Sequence, residues 1–194
     1  MNIGEEICGE WLRHVKQCEF IQYNLKTPDV QGEVDVIGLN MKSRAVYACE
    51  VAIHLTTGLQ YNKGGQPDNV KRLTTKFKKD VDYLCKAFPD YTRVFMLWSP
   101  VVRNQKSGAK YNKTKDTQDI SDALKSEREV EIELVVNKKF QEALVALRAV
   151  ARTTKSEMDS SVMRYLQVEE HLKRHLSSAG MKDSAKLFSP FPAA

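Results

Sequence analysis

The chain has 194 residues, 42% hydrophobic and 28% charged, with a formal net charge of +5. That is enough for one real core of ordinary globular composition, and it excludes collagen-like and disordered classes. No apolar run nears the roughly 18 residues of a membrane span, and no basic-then-apolar signal pattern opens the chain, so a cytoplasmic protein with no membrane partner is expected.

The charge is unevenly spread. Residues 1–62 carry 5 Lys/Arg against 8 Asp/Glu, a balance of −3, and residues 63–115 carry 13 against 4, a balance of +9. The remainder, 12 against 13, is nearly neutral. A basic middle beside an acidic segment suits a protein that holds a polyanion with one part and metal ions with another. A lysine-rich solvated surface would give the same balance.

Ile3, Ile7, Trp11 and Val15, widened by Cys8 and Leu12, predict an amphipathic helix over 3–16. Cys18 to Leu25 reads as a strand, 26–32 as a turn, and Glu33 to Leu39 as a second strand. A short connection at 40–44 leads into Ala45 to Leu55, a third strand apolar at nearly every position and so expected at the centre of a sheet. The segment 56–68, with Gly58, Gly64, Gly65 and Pro67, reads as a loop. Val70, Leu73, Phe77, Val81 and Leu84 predict a long helix to Phe88, with Arg72, Lys76, Lys79 and Lys86 along one flank. Then follow a strand over 93–98, a basic loop to Thr117, a short helix over 120–126, a strand over 130–136 and a helix over 140–151. Beyond Thr153, Val162 to Leu176 looks helical and the tail from Ser189 frayed.

The expected fold is α/β: a central mixed sheet flanked by helices in the order αβββαβ, because a helical crossover returns a strand parallel to the one it left. A domain over 1–152 and a helical C-terminal extension over 153–194 follow from this pattern. Cys8, Cys18, Cys49 and Cys85 show no C-x-x-C spacing, and the first three fall at expected core or strand positions, so reduced, buried thiols are preferred to a metal or redox site.

The chemistry concentrates in Gly32-Glu-Val-Asp-Val-Ile-Gly38 and Val46-Tyr-Ala-Cys-Glu-Val-Ala-Ile-His54. A carboxylate on a core-facing strand is costly unless paired, hydrogen-bonded or bound to a cation. Across a turn near 40–44, Asp35 and Glu50 fall opposite each other. Mg²⁺ takes one or two carboxylates and completes its shell with water, backbone carbonyls and phosphate oxygens, and the Val51 carbonyl is a natural third ligand.

These two segments, in this order of elements, resemble the PD-(D/E)XK nuclease superfamily, the restriction-endonuclease-like fold, over about residues 3–100. The resemblance implies a nuclease that hydrolyses phosphodiester bonds of DNA with Mg²⁺ or Mn²⁺. Asp35 and Glu50 would be metal ligands, completed by Glu10 or Glu6 from the first helix, with Glu33 an additional ligand or an outer polar residue. Ala52 stands where the family's pattern has a lysine. The lysine has migrated, with Lys76 the first candidate and Lys71 and Lys63 behind it; or His54 or Gln60 replaces it; or the site has decayed into a nucleic-acid-binding or assembly module. A deliberate lysine-to-alanine change would read the same way. For the polyanion the candidates are Lys63, Lys71, Arg72, Lys76, Lys79, Arg103, Lys106, Lys110 and Lys113, with Tyr111 among them. RNA as an alternative to DNA, and a homodimer, stay open.

Other signals are weaker. His171 and His175 sit at i and i+4 with no third ligand, so a polar helix face is preferred. Trp98-Ser-Pro100 lacks a G-x-S-x-G elbow, and Gly64-Gly65 lacks the G-K-[ST] of a P-loop.

Overall fold

The computed structural model describes residues 2–27, 32–106 and 108–178. Helix α1 (Ile3–His14) starts at a capping box: Asn2 accepts from Gly4 N–H at 2.9 Å and Glu5 N–H at 3.1 Å, and Glu5 accepts from Asn2 N–H at 2.8 Å. Strands β1 (Phe20–Lys26), β2 (Glu33–Asn40) and β3 (Ala45–Val51) form an antiparallel meander. After a small hairpin, β4 (Asn62–Lys63) and β5 (Gln66–Pro67), helix α2 (Asn69–Ala87) crosses over to β6 (Thr92–Ser99), which pairs parallel to β3. Helix α3 (Lys113–Arg128) makes a second crossover to β7 (Ile132–Val136), parallel to β6, and α4 (Lys138–Thr153) and α5 (Ser161–Ser178) follow. The five-stranded order β1-β2-β3-β6-β7 is a mixed sheet flanked by helices, the expected fold class.

Strand alternation divides the core into two layers. On one face Cys8 and Leu12 of α1 pack with Val36, Tyr47, Cys49, Val51, Met96 and Trp98, where Trp98 meets Trp11 and Phe140 edge to face. On the other, Leu73, Phe77, Val81 and Leu84 of α2 pack with Ile37, Val46, Ala48, Phe95 and Leu97, and Ile120 and Leu124 of α3 close the layer. Close approach of α1 depends on Gly9, where a Cβ would lie 2.2 Å from the Tyr23 hydroxyl.

Three expectations are corrected. The third strand ends at Val51 rather than Leu55: Ala52 N–H still donates to Trp98 O at 2.9 Å, after which the chain turns, with Leu59 N–H bound to Val101 O at 2.8 Å. His54 is therefore off the strand. The helix over 120–126 is 16 residues long and begins inside the expected basic loop, because Asn112 caps it by accepting from Lys115 N–H at 3.1 Å. Within the expected loop at 56–68, Gly64 and Gly65, at φ of 57° and 73°, make the tight turn of the β4–β5 hairpin.

The chain divides into two compact units, Met1–Ala146 and Leu147–Ala194, and the boundary falls inside α4 rather than at 152/153. In the second unit Leu147, Ala151, Val162, Met163 and Leu166 are buried, and Gln167 donates to the carbonyls of Thr154 at 3.0 Å and Ser156 at 2.8 Å. The tail from Ser189 lies outside the described residues. Among the described residues no helix is long and apolar enough to cross a membrane.

Candidate metal and nucleic-acid site

The β2–β3 register pairs Val36 with Cys49 and Ile37 with Ala48, so Asp35 and Glu50 are the next opposed positions, on the α2 face. Both are buried, at 8% and 1% exposure. Asp35 Oδ2 accepts from the Val51 N–H at 2.8 Å, which sets the Val51 backbone beside the carboxylate. Lys76 of α2 reaches down to the pair: its Nζ lies 2.9 Å from Asp35 Oδ1 and is in direct contact with Glu50 Oε2. Lys76, expected as the first candidate for a migrated lysine, is thus brought to both carboxylates from α2. Ala52 itself is buried at 2% exposure among Leu59, Leu73 and Phe77.

A fourth ionisable group went unread in the sequence. Asp80, one turn beyond Lys76, is 3% exposed and within hydrogen-bond reach of Glu50. Its signal was available: Asp80 stands three residues after Phe77 and four before Leu84, inside the apolar stripe rather than on the basic flank. Glu50 Oε1 and Asp80 Oδ2 are buried and accept no hydrogen bond, so a proton retained on one of the two carboxyls gives the pair a donor. Burial, then Asp80 and Asp35, push the Glu50 carboxyl well above its usual range against the pull of Lys76. Burial likewise raises Asp80, to about 7, although Glu50 and Lys76 oppose it. Burial pulls the Lys76 ammonium down, but Glu50 and Asp35 more than offset this and leave it above its ordinary value.

The other expected residues are dispersed. Glu10 lies on α1, across the sheet from the pair, with His14 Nε2 at 3.2 Å and Arg13 Nε at 3.6 Å. Glu6 is half-buried on the same helix and its charge is felt at Tyr23. Neither joins Asp35 and Glu50, because α1 packs on the opposite layer. Glu33 is exposed at the start of β2, and His54 stacks edge to face on Tyr61 at 4.9 Å.

Four of the basic candidates come together. Lys63, Lys71, Arg72 and Lys76 line a cleft of about 420 Å³ between the β4–β5 hairpin and α2, with Asn62 and Asp68. The Arg72 guanidinium lies over the Tyr61 ring, 4.5 Å from its centroid. Lys79 and Asp80 line a smaller hollow of about 50 Å³ that shares Lys76 and Thr75 with the cleft. Lys110 donates to the Gly65 carbonyl at 3.0 Å and braces the hairpin tip. Arg103 donates to Thr56 O at 2.6 Å, and Lys106 is exposed. Lys113 is 3% exposed with its ammonium on the Thr57 carbonyl, and burial lowers its pKa, so its charge holds the 55–57 turn rather than facing a polyanion.

The all-oxygen donor set and the orphaned Glu50 Oε1 fit a hard cation such as Mg²⁺. Among the described residues no three His, Cys, Asp or Glu side chains group as a metal site, so such a cation would take most of its shell from water and substrate oxygens. No family model matches the chain, and no curated protein matches it.

Proposed function

We propose that the chain is a metal-dependent nuclease of the PD-(D/E)XK type, hydrolysing phosphodiester bonds of DNA with Lys76 in the part of the lysine absent at position 52. The observation that carries this reading is the Lys76 ammonium held against both Asp35 and Glu50. Mg²⁺ bound at the two carboxylates would supply Lewis-acid stabilisation and an activated water. Asp35 and Glu50 would hold the cation, and the Val51 N–H fixes the orientation of Asp35. Lys76 also lines the cleft, which supports a role for its ammonium in stabilising the negative charge of a pentacovalent phosphate.

The test is metal-dependent cleavage of plasmid and single-stranded DNA by the native chain, Asp35→Ala, Glu50→Ala, Lys76→Met and the double variant Lys76→Met/Ala52→Lys. The native chain should cleave with Mg²⁺ or Mn²⁺, and the single variants should lose on the order of 100-fold or more. Recovery in the double variant would show that a lysine serves from either position. A second reading, a binding or assembly module of the same fold, is favoured by Ala52 and by the lack of a three-residue metal group among the described residues. It wins if the native chain binds DNA but cleaves with neither cation.

A further inference from the structure

Four cations and one acid, Asp68, converge on a single cleft, whose volume of about 420 Å³ falls in the roughly 300–1,000 Å³ range of small-molecule sites. That space admits a nucleotide with its base, whereas the bases of a double helix are stacked and paired inside it and only its backbone could touch the rim. The arrangement within it is specific. Arg72 is exposed on its α2 side and laid over the Tyr61 ring, and Tyr61 is itself backed by His54. Tyr61 is fixed from behind, because its N–H donates to the buried Asn69 side chain at 2.6 Å. An arginine seated on an aromatic ring presents a planar guanidinium to the cleft, which suits a phosphate fork or the face of an unstacked base. Lysine offers neither plane nor fork. At the far wall, Lys76 joins the cleft to Asp35 and Glu50.

We infer that the cleft between the β4–β5 hairpin and α2 takes one nucleotide of a single polynucleotide strand, with Arg72, seated on Tyr61, as the residue that grips it. This rests on the nuclease reading only in that the gripped strand ends at the Asp35–Glu50 pair.

The experiment is fluorescence anisotropy in EDTA, with a short single-stranded oligodeoxynucleotide, the same sequence as RNA, and its blunt DNA duplex. The single strands should bind at least tenfold tighter than the duplex, with DNA and RNA arms separating the two sources of the same phosphate and base chemistry. Arg72→Lys and Arg72→Gln should each lose roughly tenfold for single strands, the scale of one stacked base. Lys42→Arg, in the exposed 41–44 turn away from the cleft, should retain native affinity. A duplex bound as tightly as a single strand, or native affinity in Arg72→Lys, would overturn the inference. Metal-dependent duplex cleavage without single-strand binding defeats it while sparing the nuclease reading. Single-strand binding with no cleavage in Mg²⁺ or Mn²⁺ leaves it standing while that reading fails.

Discussion

Asp80 is the residue at which burial and charge are most in conflict. Its pKa, raised to about 7 by burial, means that the folded state binds a proton the unfolded chain has already lost. The stability this contributes is fully present below the unfolded value near 3.8 and disappears as pH rises through about 7. Asp80→Asn, which cannot ionise, should therefore gain on the native chain across that window, by on the order of 2–4 kcal/mol, in urea unfolding followed from pH 4 to 8. A difference independent of pH would show that the proton resides elsewhere. Asp35 and Glu50 were legible in the sequence because an acid amid valines demands a partner. Asp80 was harder to read, because a Lys and an Asp four apart on a helix look like an ordinary exposed ion pair. Only the place of Asp80, three residues after Phe77 and four before Leu84, separates the buried case from the solvated one.

Among the elements, α2 carries the cleft, the lysine and the acid, and its N-terminal seat is Asn69. This buried side chain accepts from Tyr61 N–H at 2.6 Å and donates to Leu59 O at 3.1 Å and Asp116 Oδ2 at 2.7 Å. It ties the chain leaving β3, the hairpin and α3 to one helix end. Asn69→Ala leaves a carbonyl, an N–H and a carboxylate without their partner and should cost about 1–3 kcal/mol in unfolding experiments. It should also weaken the protection of the Tyr61 amide from hydrogen exchange while leaving amides of β2 unchanged. Helix and strand order was readable from apolar periods of 3.6 and 2. The end of β3 was not, because Ala52 and Ile53 prolong the apolar run although β6 offers no partner beyond Ser99. The start of α3 was hidden for a different reason: its first turn is Lys-Thr-Lys-Asp, and the helix owes its beginning to one capping side chain.

For the whole molecule, the +9 segment of residues 63–115 resolves into unlike parts. Some of its charge is committed internally, as in Lys113 on the Thr57 carbonyl and Lys110 on that of Gly65. Four cations remain around the cleft. Lys76 is already held against Asp35 and Glu50, so if the other three neutralise phosphates, single-strand affinity should fall roughly twentyfold between 50 and 200 mM salt, following about 0.7 released counterions per contact. Affinity unchanged by salt would sink every nucleic-acid reading of this chain. Charge totals predicted a polyanion partner but could not say which lysines were already occupied, since that depends on which backbone carbonyls the folded loops bring near.

The cysteines give the protein a built-in clock. Cys8, Cys18 and Cys49 are buried, and burial, helped by the Cys49 thiol beside it, holds Cys8 well above the usual thiol range, while Cys18 is raised to about 12. Cys85, on the outer side of α2, is exposed. An alkylating reagent should thus modify one thiol at once and the other three only as α1 lifts from the sheet. Mass spectrometry of stepwise labelling would then time that opening directly, with Cys85 as the zero mark and no engineered probe required.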